Sequence, residues 1–247
     1  MGIEWAELVE GTETPAGDGI NGALRCVITT SDGQQLGAVL KRDQPALVFA
    51  EALSAVLLRS WGLPVPPPYL VRELHSVSFA SADVGYPNLK KALGISEHLT
   101  HLPDQQVLQQ LALTLAVKFP STPLAMVADE AIDNRDRNLG NILWDGASEA
   151  WIDHAHALGN APYMADQNLL CTMATAVGQN EQALQAALAR WMALDKSQVP
   201  VSISAIQADY DCVAWQDLIS ARLDTLGMRL IARFPSPSDL LAKVPPQ

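Results

Sequence analysis

The chain has 247 residues, 49% of them hydrophobic and 17% charged, and carries a formal net charge of −11. That is ample for a buried core in one domain or two small lobes. The acidic surface disfavours bare nucleic acid and anionic membranes, yet it leaves nucleotide binding open, because a few local cations and a divalent metal hold a triphosphate.

Three scattered cysteines, Cys26, Cys171 and Cys212, show no CxxC spacing. They argue for a reducing compartment and against a disulfide framework or a zinc site. The first residues show no signal-peptide pattern, and no run approaches the ~20 apolar residues that span a bilayer. The expectation is a cytoplasmic protein.

The first part reads as β. A strand-like run from Leu24 to Thr30 meets the turn signal Ser31-Asp32-Gly33, and a strand resumes from Leu36 to Lys41. Ahead of this hairpin lies Gly17-Asp18-Gly19-Ile20-Asn21-Gly22, a literal GxGxxG. A strand rather than a helix follows it, so it is not a dinucleotide fingerprint. A loop covering phosphates and a plain Gly/Asp loop are both open readings. Pro45 to Trp61 has helical apolar spacing with Pro in the first turn. Glu51 sits on that helix among Val48, Ala52 and Ala55, where a carboxylate needs a cationic partner. Lys41, at the end of the preceding strand, is a candidate. Gly62 ends the helix, and Pro64 to Pro68 forms a stiff connector. Tyr69–Leu74 and Val77–Ala80 read as two more strands.

From Asp104 the pattern turns helical. Asp104 to Val117 sets Val107, Leu108, Leu111 and Leu115 on one face, and Thr122 to Ala131 reads as a second helix. A short hairpin follows through Ile142-Leu143-Trp144 and Trp151-Ile152, turned at Asp145-Gly146. Beyond Pro162 nearly everything reads as helix, with apolar stripes over Asn180–Leu194 and Val213–Phe234. The expected fold is α+β and two-lobed: a β-rich lobe with one helix over 1–85, a larger helical lobe over 86–235, and a tail over 236–247.

The chemistry concentrates around that short hairpin. Asp136 and Asn141 lie five positions apart in Asp133-Asn134-Arg135-Asp136-Arg137-Asn138-Leu139-Gly140-Asn141, and Asp153 closes the second strand. One carboxylate to orient a hydroxyl, then an amide and a carboxylate to hold Mg²⁺, is what phosphoryl transfer requires. Arg135 and Arg137 read as neutralisers of phosphoryl charge, Arg135 equally as an anchor for nearby carboxylates. His154 and His156 flank Asp153. With no third His nearby in sequence, hydrogen-bonding support is favoured over a dedicated zinc or iron site.

Three passages resemble the HipA-like branch of the kinase superfamily, particularly its short single-chain members, with phosphoinositide 3-/4-kinases as more distant relatives. They are Ala38-Val39-Leu40-Lys41, Glu51 with Trp61-Gly62-Leu63-Pro64-Val65-Pro66-Pro67, and Asp133–Leu143 with Ile152–Gly159. The resemblance implies a two-lobe protein-kinase-like fold binding ATP and Mg²⁺. It implies Asp136 as the catalytic-loop Asp, Asn141 and Asp153 as metal ligands, Lys41 on the phosphates with Glu51 orienting it, and Gly17, Gly19 and Gly22 covering them. It further implies a Ser/Thr acceptor on a protein, a regulatory, antitoxin-like partner, and modification at Thr12 or Thr14 near the Gly-rich loop; the net charge argues against direct nucleic-acid or membrane contact. Asn134 stands where protein kinases carry His, and His154-Ala155 where they carry Phe-Gly, which marks an atypical kinase. A small-molecule or lipid kinase and a nucleotide-binding pseudokinase or regulator remain as other readings.

Overall fold

The computed structural model describes residues 3–17 and 22–235. Gly19 of the Gly-rich loop and the expected tail fall outside these residues. The N-terminal part holds β1 (Glu4–Leu8), β2 (Thr14–Pro15), β3 (Leu24–Thr30), β4 (Gln35–Lys41), helix α1 (Pro45–Ser60), β5 (Pro68–Arg72) and β6 (Val77–Ala82). Helices α2 (Leu89–Ala92), α3 (Pro103–Lys118) and α4 (Thr122–Ala131) follow. The hairpin β7 (Ile142–Trp144) and β8 (Glu149–Trp151) comes next, then α5 (Leu169–Ala176), α6 (Asn180–Met192), α7 (Gln198–Ser204) and α8 (Val213–Ala232).

The large sheet runs β1-β5-β6-β4-β3-β2, and β1 also pairs with β3, so the sheet rolls up and closes on itself. Among the described strands of this sheet, only the β1–β5 pairing is parallel. Alternate residues of each strand point inward. Ala6, Cys26, Ile28, Ala38, Leu40, Tyr69, Val71 and Ala80 form a small core of their own inside the roll. The second face of β5 and β6 meets α1 through Leu70 and Phe79. β1 escaped the sequence reading because its only large apolar side chains, Trp5 and Leu8, sit among Glu4, Glu7 and Glu10.

Helix α1 is buried on nearly all sides, from Val48 to Leu58. Gly62, at φ +88°, ends it in a left-handed turn, with the Leu63 amide donating back to Leu58 O at 3.0 Å. Its first turns reach the helical part. The ring of Phe49 stacks on Tyr210, which stacks on Trp215, with centroids 4.8 and 4.9 Å apart.

Helix α3 corrects one expectation. It buries Ala112, Ala116 and Val117, whereas Val107 is 67% exposed and Leu111 44% exposed. Leu115 of the expected stripe packs partly buried against the core, but the fully buried face is Ala112, Ala116 and Val117. Helix α4 is buried along its whole length, including its two acids, Asp129 and Glu130.

Candidate active site

Strand β4 delivers Lys41 at its end, and α1 begins four residues later. That short connection sets Glu51, about two helical turns in, opposite the strand end. Lys41 Nζ lies 3.2 Å from Glu51 Oε2 and 3.0 Å from Asp153 Oδ1. Glu51 is almost fully buried. Burial would lower the Lys41 pKa, but the two carboxylates outweigh it and hold the ammonium well above its ordinary range. Burial likewise works against ionised Glu51, and Lys41 and His154 reverse that, keeping its carboxyl below the usual range. A cavity of about 10 Å³, room for roughly one water, opens beside this pair, lined by Asp43, Leu47, Val48, Phe79 and Ala155.

The hairpin positions the other groups. Ile142 pairs with Trp151, and one step beyond, the Ile152 amide donates to Asn141 O at 3.1 Å. Asn141 and Asp153 therefore flank the open end of the hairpin. Asn141 Nδ2 donates to the backbone oxygen of Asp136 at 2.7 Å, which assigns the orientation of the amide and frees its carbonyl oxygen from that contact. The Asp136 carboxylate is half-buried and accepts from Asn138 Nδ2 at 3.3 Å. Asp153 sits at φ +65°, a conformation uncommon for a side-chain-bearing residue but tolerated by Asp.

The hairpin is itself tied down. The Trp151 amide donates to Pro64 O at 2.8 Å, the Trp144 amide to Pro87 O at 2.9 Å, and the Trp151 indole to Ser121 Oγ at 2.8 Å. The Pro-rich connector after α1 thus sets the height of the metal-ligand candidates relative to Lys41.

Arg137 does not face the site. It is fully buried, bidentate to Asp129 at 2.9 and 3.0 Å, and donates to Ile152 O at 2.6 Å. Its role as a phosphoryl neutraliser is therefore excluded by packing: every direction of its fork ends on protein. Arg135 takes the anchoring reading, gripping Asp133 with two bonds of 3.0 Å and donating to Met164 O at 2.8 Å. Asn134 donates to Asp129 Oδ1 at 2.8 Å and accepts from the Asp136 amide at 3.3 Å. Asp129 thus carries the segment that holds Asp136. It was legible only as an acid inside the apolar run Leu124–Ala131, a placement that demands cations.

Gly17, at φ +133°, and Gly22, at φ +61°, bracket the loop between β2 and β3. The Ala16 amide donates to Ala23 O at 2.9 Å, closing its base. A Cβ on Gly17 would come within 3.1 Å of Lys91 Nζ, so α2 reaches the loop's first glycine. Nothing in the sequence pointed to Lys91. Thr12 is not an open hydroxyl: it donates to Val9 O at 2.6 Å and accepts from the Val27 amide at 3.0 Å. Thr14 is exposed in β2. His154 is fully buried beside Glu51, whereas His156 approaches Tyr163 at 3.5 Å, so the two do not converge.

Among the described residues, no three His, Cys, Asp or Glu side chains gather closely enough to hold a metal by themselves. The donor set at the hairpin is one carboxylate and one amide oxygen. That fits Mg²⁺, which is bound by one or two protein oxygens while phosphate oxygens and water complete its shell. No single described helix is long and apolar enough to cross a membrane.

No family model matches the chain, and no curated protein matches it by sequence. Solved structures do. The proinflammatory kinase CtkA of Helicobacter pylori matches with a TM-score of 0.52 at 16% identity, over 92% of this chain and 96% of that one. HipA of the Shewanella oneidensis MR-1 toxin–antitoxin system, solved with HipB and operator DNA, matches with a TM-score of 0.52 at 11% identity. That match covers 96% of this chain and 68% of the other. Both neighbours are HipA-like, and at these identities the likeness is one of fold.

Proposed function

Starting from this HipA-like fold, we propose that the chain is an ATP- and Mg²⁺-dependent kinase that passes the γ-phosphoryl group to a Ser or Thr hydroxyl on a protein. The observation that carries the reading is the contact of Lys41 with both Glu51 and Asp153, at 3.2 and 3.0 Å. A strand-end lysine, a buried helix carboxylate and the acid of a downstream loop converge on one point, from 112 residues apart in sequence in the widest case.

The nucleotide would lie between the strand-rich part and the helical part, arranged as two lobes. Lys41 would bind its phosphates while Glu51 holds the ammonium in place. Gly17, Gly19 and Gly22 would let the β2–β3 loop approach the phosphates closely. Asp136 would orient the acceptor hydroxyl and take its proton as the bond to phosphorus forms. Mg²⁺ held by Asn141 and Asp153 would supply neutralising charge on the phosphate oxygens. In-line transfer needs little covalent help, so positioning and charge account for most of the rate. The HipA neighbour was solved with HipB, which supports a regulatory protein partner here.

The test is incubation with γ-labelled ATP and Mg²⁺, with and without cell lysate, beside Asp136→Ala and Asp153→Ala. Asp136→Ala should lower transfer by about 10²–10⁴-fold, the usual worth of a positioned acid or base, and Asp153→Ala should lower it by removing a ligand of the metal. Label that survives both overturns the assignment. Label recovered in a small metabolite instead of protein moves the acceptor class.

A further inference from the structure

His154 follows Asp153 directly, yet phosphoryl transfer as proposed gives it no task. It is fully buried, and among the described residues neither ring nitrogen has a well-formed hydrogen bond. A buried polar group ordinarily finds a partner. Its Nδ1 stands 3.5 Å from Glu51 Oε1, a few tenths of an ångström beyond a hydrogen bond. The other oxygen, Oε2, is the one that faces Lys41.

The four side chains form a ring. Asp153 contacts Lys41, Lys41 contacts Glu51, Glu51 faces His154, and the 153–154 peptide bond closes the circle. In an extended strand consecutive side chains point to opposite faces. The left-handed backbone at Asp153 removes that alternation, so residues 153 and 154 both reach the Lys41–Glu51 pair.

We propose that His154 is the Nδ1–H tautomer and a positioning residue for Glu51, donating to Oε1 and thereby tying α1 to the loop that carries Asp153. Lys41 divides its charge between two carboxylates. Anything that draws Asp153 away leaves Glu51 as the anchor of Lys41, and His154 then holds that anchor still. The kinetic consequence rests on the kinase reading; the tautomer does not.

Two measurements test this. In ¹⁵N spectra of the histidine-labelled wild-type chain, the buried imidazole should show a protonated Nδ1 and a bare Nε2; an Nε2–H tautomer overturns the proposal. The side-chain amide of Asn reproduces the Nδ1 position and that of Gln the Nε2 position. With a non-hydrolysable ATP analogue and Mg²⁺, His154→Asn should bind within about twofold of wild type. His154→Gln should bind about tenfold more weakly at an unchanged melting temperature, the size of one lost bond to a charged group. Equal affinities, or the reverse ranking, overturn it. On a Glu51→Gln background the His154→Gln loss should vanish; a loss that persists also overturns it. A wild-type chain that binds no nucleotide would sink the kinase reading while leaving the tautomer result intact.

Discussion

Arg137 and Arg135 are separated by one residue and look interchangeable on paper, but their surroundings give them different weights. Arg137 is sealed against Asp129 with no exposure, so removing it strands a buried carboxylate. Arg137→Ala should destabilise the chain by about 3–5 kcal/mol. Arg137→Lys should recover little, because an ammonium lacks the planar fork that meets both Asp129 oxygens. Urea unfolding of the three proteins measures this directly, and a loss near zero for Arg137→Ala would mean that the Asp129 contact contributes nothing. The sequence placed Arg137 near the chemistry but could not show its direction. That depended on Asp129, eight residues earlier on a buried helix.

Helices α4 and α8 are joined by charge as well as by packing. Glu130 of α4 is almost fully buried, and Arg222, Arg229 and Arg233 of α8 and its end reach it at 2.8–3.0 Å. Arg222 also bonds Asp133 at 3.0 Å, and Arg233 pairs with Asp166 in the segment after Asp153. This network links α8 to the segment that holds Asp136 through Asp133 and Arg135. Burial opposes ionised Glu130, but the arginines prevail and hold its carboxyl below the ordinary range. A depressed carboxylate contributes stability that is full above the unfolded value, about 4.3, and is lost as pH falls through the lower folded value. The urea midpoint of the wild type should therefore drop steeply below about pH 4.3. Glu130→Gln should start lower at neutral pH and fall less on acidification. A parallel fall in both proteins would assign the acid loss to other groups. The spacing of Arg222, Arg229 and Arg233 is visible in sequence, but as the polar side of a stripe; that it faces a buried acid depends on α4 crossing it.

For the molecule as a whole, the candidate site draws on β4, α1 and the β7–β8 hairpin, parts whose packing the bound nucleotide would reinforce. Binding to the folded chain alone should stabilise it by about 2.7 kcal/mol at a hundredfold excess over Kd. For a chain of this size that corresponds to a rise in Tm of about 5–10 °C. The rise should need both ATP and Mg²⁺, shrink with a chelator, and be reduced in Asp153→Ala. An equal shift from ATP with the chelator present would argue against a metal at Asn141 and Asp153.

Local pattern was enough to define β3, β4, α1, α4 and the short hairpin, because their turns, caps and apolar periods are short-range signals. It also marked Asp136, Asn141, Asp153 and Lys41 as polar groups beside short apolar strands, and Glu51 as a carboxylate inside an apolar helix. What it could not reach were the contacts formed across the fold. The rolled closure of the sheet needs β1 to pair on both sides. That α3 buries Ala112, Ala116 and Val117 rather than Val107 and Leu111 is set by how it packs against the rest of the fold. Lys41 meets Asp153, and Glu51 faces His154, because the Pro-rich connector and the hairpin bring distant segments to one place. Such contacts depend on three-dimensional proximity, which no spacing along the chain encodes locally.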